Sequence, residues 1–190
     1  LVKRYLLVTL PTRLAAGVEM RVFGIAGHSG MGKTTLLEHV LPELKARGLV
    51  VSVIKHSHKD LDIDRPGKDS FRLREAGCQE LIVMGRRRWV LMHELTEDVE
   101  PPLSHLLTNF QACDLVLIEG FKRGNFPKLE VWRAELNKLP IWPDLPGIVA
   151  VATSDRLDAV DVPTLNLSDI KSIVEFILQN AKENLEVQTT

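Results

Sequence analysis

The chain has 190 residues, of which 45% are hydrophobic and 26% charged, with a formal net charge of −1. That size suits one α/β domain with at most a small appendage. The near-zero charge gives no electrostatic case for nucleic acid or an anionic membrane, and no apolar run approaches the ~20 residues that span a bilayer. Cys78 and Cys113 lie far apart in no ligand-like spacing. They read as reduced thiols of an intracellular, cytoplasmic protein.

Residues 1–19 place Lys3 and Arg4 before the short apolar run Tyr5-Leu6-Leu7-Val8-Thr9-Leu10, which Pro11 ends. A signal peptide needs an apolar core of about 7–15 residues. The stretch is therefore expected to be an upstream extension, disordered, with Met20 standing just before the first strand. The domain is expected over residues 20–181, followed by a frayed polar tail over 182–190.

Val22-Phe23-Gly24-Ile25-Ala26 reads as a buried strand. Gly27-His28-Ser29-Gly30-Met31-Gly32-Lys33-Thr34 follows it and fits G-x-x-x-x-G-K-[ST], the phosphate-binding loop. Its glycines let successive backbone N–H groups converge on one phosphate cluster, and the next helix adds the positive end of its dipole. Lys33 is expected on the β- and γ-phosphates, and the Thr34 hydroxyl on Mg²⁺. Leu36, Leu37, Val40, Leu41 and Leu44 recur at helical spacing, so a helix is predicted over about 34–47. Pro42 is expected to kink it, and Gly48 to cap it.

Residues 49–54, nearly all apolar, predict a parallel strand covered on both faces. Lys55-His56-Ser57-His58 then stands on the same carboxyl edge of the sheet as the phosphate loop, where open α/β sheets bind ligands. With Asp60, Asp62 and Asp64 this loop also offers N and O atoms to a metal. A short helix is predicted from a cap at Asp69 or Ser70 to Ala76. Residues 81–84 and 89–92 predict a hairpin around the basic turn Arg86-Arg87-Arg88, so the sheet is expected to be mixed.

A helix is predicted from Pro101-Pro102 to Phe110, and a buried strand over 114–120 with an acid near each end. Asp114 begins that strand. Glu119 ends it about 16 Å further on, at the ligand edge. Glu119 is thus the acid expected at the metal or its water, and Asp114 a structural cap. Lys122 and Arg123 lie just beyond. A strand over 128–133, a proline-rich loop over 137–147, a last strand over 148–152 and a helix over 170–180 complete the pattern. Trp132 and Trp142 read as core or interface fillers. Thr153-Ser154-Asp155 lacks the lysine of a guanine-specifying N/T-K-x-D, which leaves the base open. The fold class is α/β, P-loop NTPase-like: a mostly parallel sheet flanked by helices, with a small antiparallel hairpin.

Four segments together are similar to the MobB family. They are Ala26 to Thr35, Ile54-Lys55-His56-Ser57-His58, Asp62 to Ser70, and Leu117-Ile118-Glu119-Gly120-Phe121-Lys122. The resemblance runs from about Met20 to Ala181. It implies a GTP-binding protein with weak GTPase activity, a homodimer, and an adaptor in molybdenum cofactor (molybdopterin guanine dinucleotide) biosynthesis. Its partner would be MobA, the guanylyltransferase, and molybdopterin itself is a further candidate ligand. By position it assigns Ser29, Gly30, Met31, Gly32, Lys33, Thr34 and Thr35 to phosphate. It assigns Lys55 to His58 and Glu119, Gly120, Phe121 and Lys122 to further nucleotide contacts, with Thr34 and Glu119 near Mg²⁺ and Lys33 and Glu119 as the catalytic pair. Arg88-Trp89 matches the family's hairpin. Two other readings stay open. One is a P-loop kinase or transferase on a small substrate held by residues 55–70. The other is a nickel or zinc metallochaperone GTPase using the His/Asp loop.

Overall fold

The computed structural model describes residues 20–57, 61, 63–96, 99–121, 124–157 and 160–183. Expectations for residues 1–19, His58, Asp60, Asp62, Lys122, Arg123 and the tail from 184 onward lie outside the described residues. The chain divides into two compact units, one of residues 1–56 and 103–190 and one of residues 57–102.

The first unit is built on a sheet whose strands are β1 (Arg21–Ala26), β2 (Val51–Lys55), β5 (Leu115–Glu119), β6 (Lys128–Val131), β7 (Ile148–Thr153), β8 (Thr164–Asn166) and β9 (Lys182–Glu183). Six of them run parallel in the order β2-β5-β1-β6-β7-β8. That order sends the chain from β1 out to β2 and back past β1, so the carboxyl ends of β1, β2 and β5 lie together on one edge.

α1 (Lys33–Ala46) and α4 (Ile170–Asn180) cover one face. There Leu36, Leu37, Val40, Leu44, Ile173, Val174 and Ile177 bury against Phe23, Ile25, Leu117, Leu129 and Ala150. Each large apolar side chain buried this way stabilises the unit by about 1.5–3 kcal/mol. Asp169 caps α4 by accepting from the Ser172 amide at 3.1 Å. On the other face, Leu103 and Leu107 of α3 (Leu103–Thr108) pack on Val22, Val116, Ile118 and Phe126. The helix through Pro42 is continuous, because the missing N–H costs one backbone bond while Val40 and Leu44 on either side stay buried.

The second unit holds α2 (Asp69–Glu75) and an antiparallel pair, β3 (Glu80–Met84) and β4 (Trp89–His93). Arg74 ties it together, donating to Asp64 at 2.9 Å and to Glu94 at 2.9 Å.

Several local expectations change. The hairpin forms its own two-stranded sheet, and the antiparallel member of the main sheet is β9 against β1. Lys182 and Glu183 are therefore paired, although the polar sequence from 182 onward reads as a frayed tail. Among the described residues β2 pairs with β5 alone, and none of its five residues is buried, Val53 being 36% exposed, so the expected cover on both faces is incomplete. Lys68 occupies the cap position of α2 without a side-chain bond, and Asp69 lies in the first turn. Among the described residues no helix is long and apolar enough to cross a membrane.

Candidate functional site

A glycine-rich loop connects β1 to α1 and carries three glycines with positive φ, Gly27 (φ 129°), Gly30 (φ 88°) and Gly32 (φ 91°). Met31 anchors the loop from inside. The whole residue is buried, its side chain in the core cluster with the apolar residues of α1. Lys33 curls back over the loop and donates to the Gly27 and His28 carbonyls, both at 2.9 Å. Ser29 and Gly30 form the exposed crest, and Thr35 turns outward, its carbonyl 2.7 Å from the His39 ring.

Strand register brings the other residues in. Lys55 and Ile25 both lie opposite Glu119, the last residues but one or the last of their strands. As a result Thr34 Oγ1 donates to Glu119 Oε1 at 2.9 Å. The Lys55 ammonium sits 3.0 Å from the same hydroxyl and 3.4 Å from Glu119 Oε2. Glu119 is 7% exposed. A nearly buried carboxylate, a hydroxyl and a cation thus share one point at the N-terminal end of α1. The ammonium stands where the two oxygens could hold a divalent ion, and hard oxygen donors of this kind suit Mg²⁺. Asp114 lies at the opposite end of β5, accepting from the Val50 amide at 2.6 Å, as its distance along the strand requires.

Beyond Glu119 the chain turns back through Gly120 (φ 82°), where a Cβ would come within 2.8 Å of the His56 carbonyl. Only glycine permits this approach, and it lets the His56 amide donate to the Glu119 carbonyl at 2.8 Å. The His56 ring meets Phe121 edge-on, with centroids 5.3 Å apart. Lys55, His56, Glu119, Gly120 and Phe121 are therefore neighbours. Ser57 starts the second unit, and His58 and Lys122 lie outside the described residues. Arg86, Arg87, Arg88 and Trp89 belong to the second unit's hairpin. Among the described residues no group of three or more His, Cys, Asp or Glu could hold a metal ion.

Three residues escape sequence reasoning. Lys128 is fully buried, its stem across Gly24 and its ammonium 2.7 Å from the Gly124 carbonyl and 3.1 Å from that of Phe126. Burial pushes it down to about 8. Glu130, also fully buried, accepts from the Ile141 and Trp142 amides at 2.9 Å. Burial raises its pKa against the pull of those two N–H groups. Arg133, just after β6, donates to the Met31 carbonyl at 3.1 Å. The only sequence signal for any of them is Gly24, a glycine in a strand interior, which marks a close approach. Trp132 is half-buried and donates to the Lys138 carbonyl at 2.9 Å. Asp155 accepts from the Ala134 amide at 2.9 Å.

Comparison with known proteins gives a consistent result. The family model described as MobB, molybdopterin guanine dinucleotide synthesis protein B, matches residues 22–154. The molybdopterin-guanine dinucleotide biosynthesis adapter protein of Haemophilus influenzae is 43% identical over 162 residues, covering 84% of this chain and 88% of its own. The Escherichia coli adapter protein is 35% identical over 168 residues, covering 87% and 96%. Among solved structures, Bacillus subtilis MobB superposes with a TM-score of 0.67 at 24% identity, over 85% of this chain and 98% of that one. The MobB homolog of Bacillus stearothermophilus gives 0.62 at 23% identity, over 83% and 95%. At those identities the two structures speak for the fold alone.

Proposed function

The chain belongs to the MobB family, and from that premise we propose that it is a GTP-binding adapter of molybdopterin guanine dinucleotide synthesis. The observation that carries the nucleotide reading is the meeting of Thr34, Lys55 and Glu119 at the head of α1. Backbone N–H groups of residues 29–34 and the Lys33 ammonium would hold the phosphates. Thr34 and Glu119 would hold Mg²⁺, which neutralises phosphate charge when bound. Lys55 would then swing from those oxygens toward the phosphates. Glu119, with its charge nearly buried, would orient the metal's water shell. The protein would hydrolyse GTP weakly, and its role would be to present nucleotide or product to a guanylyltransferase of the MobA kind.

We further read it as a cytoplasmic homodimer. Met84 at 81% and Trp89 at 59% exposure support a contact surface on the second unit's hairpin. The competing transferase reading predicts substrate-dependent turnover on the order of 1–100 s⁻¹. The metallochaperone reading rests largely on His58, Asp60 and Asp62, outside the described residues.

Calorimetry with GTP, GDP and ATP in Mg²⁺, and phosphate release with and without a guanylyltransferase, test the proposal. GTP and GDP binding that Lys33→Ala abolishes is expected. Preference for ATP, or fast turnover on a small acceptor without the partner, would overturn it.

A further inference from the structure

The segment after β6 lies along the phosphate loop. Arg133 Nε donates to the Met31 carbonyl across 102 residues of sequence. A Cβ built on Gly32 would stand 3.4 Å from both Nε and Nη2, so that edge of the guanidinium faces the residue just before Lys33. Three residues further on, Leu136 Cδ1 lies 3.6 Å from where a Cβ of Gly30 would be. The Leu139 carbonyl is 3.1 Å from His28 Nε2.

This strap is fixed at both ends by buried or paired acids. Asp155 takes the Ala134 amide at 2.9 Å, and Glu130 takes the amides of Ile141 and Trp142. Arg133 is therefore held in place before any ligand arrives. With Nε given to the Met31 carbonyl, the guanidinium keeps the N–H groups of its two terminal nitrogens to donate to phosphate oxygens.

The side of approach defines which phosphates it meets. Thr34, Lys55 and Glu119 converge from the β2–β5 side of β1, whereas β6 lies on the other side. Thr34 would hold a Mg²⁺ that neutralises charge on the terminal phosphates. The opposite side of the loop then faces the part of the chain nearer the nucleoside. We propose that Arg133 is a further phosphate-binding cation of this site, beside Lys33 and Lys55, gripping the α- and β-phosphates of a nucleoside diphosphate or triphosphate from the β6 side. The inference rests on the nucleotide reading given under the proposed function.

Binding of GDP and GTP to wild type, Arg133→Gln, Arg133→Lys and Lys33→Ala, followed by calorimetry in Mg²⁺, tests it, alongside the melting temperature of each protein without nucleotide. Loss of one hydrogen-bonded charge predicts about 10- to 100-fold weaker binding of both nucleotides to the Gln variant. The two losses should be equal, because both nucleotides carry the α- and β-phosphates. Arg133→Lys should recover part of the affinity with an unchanged melting temperature. Wild-type affinity in the Gln variant would overturn the inference while leaving the nucleotide site intact. So would an affinity loss that follows the melting temperature in both variants, which would make Arg133 a brace for Met31. A loss confined to GTP would move the contact to the γ-phosphate and refute the assignment. If wild type binds neither nucleotide, the nucleotide reading itself fails.

Discussion

Replacing Glu119 by Gln keeps the shape of the side chain and removes its charge. The Thr34 hydroxyl, 2.9 Å from Oε1, still finds a carbonyl oxygen. What is lost in the unliganded protein is the ion pair with Lys55 at 3.4 Å. At that distance the Coulomb energy is about 1 kcal/mol in water and about 5 kcal/mol at an effective dielectric of 20. The Lys55 side chain is 56% exposed, which selects the watery end of that range. Removing a nearly buried charge also returns desolvation energy, so the melting temperature should move by no more than about 3 °C. Binding behaves differently. With Mg²⁺, the variant should bind GTP about 10- to 100-fold more weakly, the range for losing a charged ligand contact. In EDTA it should bind at least as tightly as wild type, because a carboxylate beside the phosphates has gone. Calorimetry in the two buffers reads both effects. An unchanged ratio of Mg²⁺ to EDTA affinities would remove Glu119 from the metal site. A fall of more than about 10 °C in melting temperature would make it a structural anchor instead.

Gly120→Ala combines a left-handed backbone with a Cβ 2.8 Å from the His56 carbonyl, whereas Gly48→Ala has a similar φ of 80° and open space. Both carry the left-handed strain of about 1–2 kcal/mol, and only the first adds the clash with the His56 carbonyl, so it should cost at least about 1 kcal/mol more than the second in denaturant unfolding; equal costs would show that the Gly120 turn can relax. Lys128, pushed down to about 8 from 10.5 by burial, releases its proton earlier in the folded than in the unfolded state. Stability should therefore rise as pH climbs from about 8 to about 10.5, by at most about 3 kcal/mol, and less where the carbonyls hold the ammonium. Lys128→Met should lack that rise, and parallel curves for the two proteins would refute it. Glu130→Ala leaves the Ile141 and Trp142 amides without their acceptor. It should cost about 2–4 kcal/mol by denaturant titration, and a cost below about 0.5 kcal/mol would show that water replaces the carboxylate.

How much the sequence discloses depends on whether a feature is local. β1, α1, β5, β7 and α4 follow from apolar runs and helical spacing that each segment carries by itself. Glu119 could be chosen over Asp114 because strand direction places one at the ligand edge and the other about five residues away. The edge position of β2 is different. Its composition suits burial on both faces, yet among the described residues strand order gives it β5 as its one partner. β8 and β9 are three and two residues long, too short for any periodicity, and exist through pairing with β7 and β1. Lys55 was legible by its place after a strand, but its approach to Thr34 depends on the register Lys55↔Glu119, which no local pattern contains.

The hardest part to read was β6, whose reasons lie in what it must hold. A strand between β1 and β7 would ordinarily be apolar throughout. Here Lys128 and Glu130 alternate with Leu129 and Val131, and all four are buried. The apolar pair faces α1 and α4 in the main core. The charged pair faces the side where loops, with no helical ladder of their own, cover the sheet. Loop backbone needs donors and acceptors when it is buried. Lys128 serves the carbonyls of Gly124 and Phe126, and Glu130 the amides of Ile141 and Trp142. A cation suits carbonyls and an anion suits amides, so the order of the two charges along β6 decides which loop lies where. Gly24 belongs to the same arrangement, since any side chain there would displace the Lys128 stem. Apolar replacements of similar volume would fill the space but leave the loop backbone unsatisfied. The strap over residues 133–142 would then lose its footing on Glu130, and with it the placement of Arg133 against the phosphate loop. The buried charges of β6 thus act on the proposed nucleotide site through backbone positions alone, which is why no motif announces them.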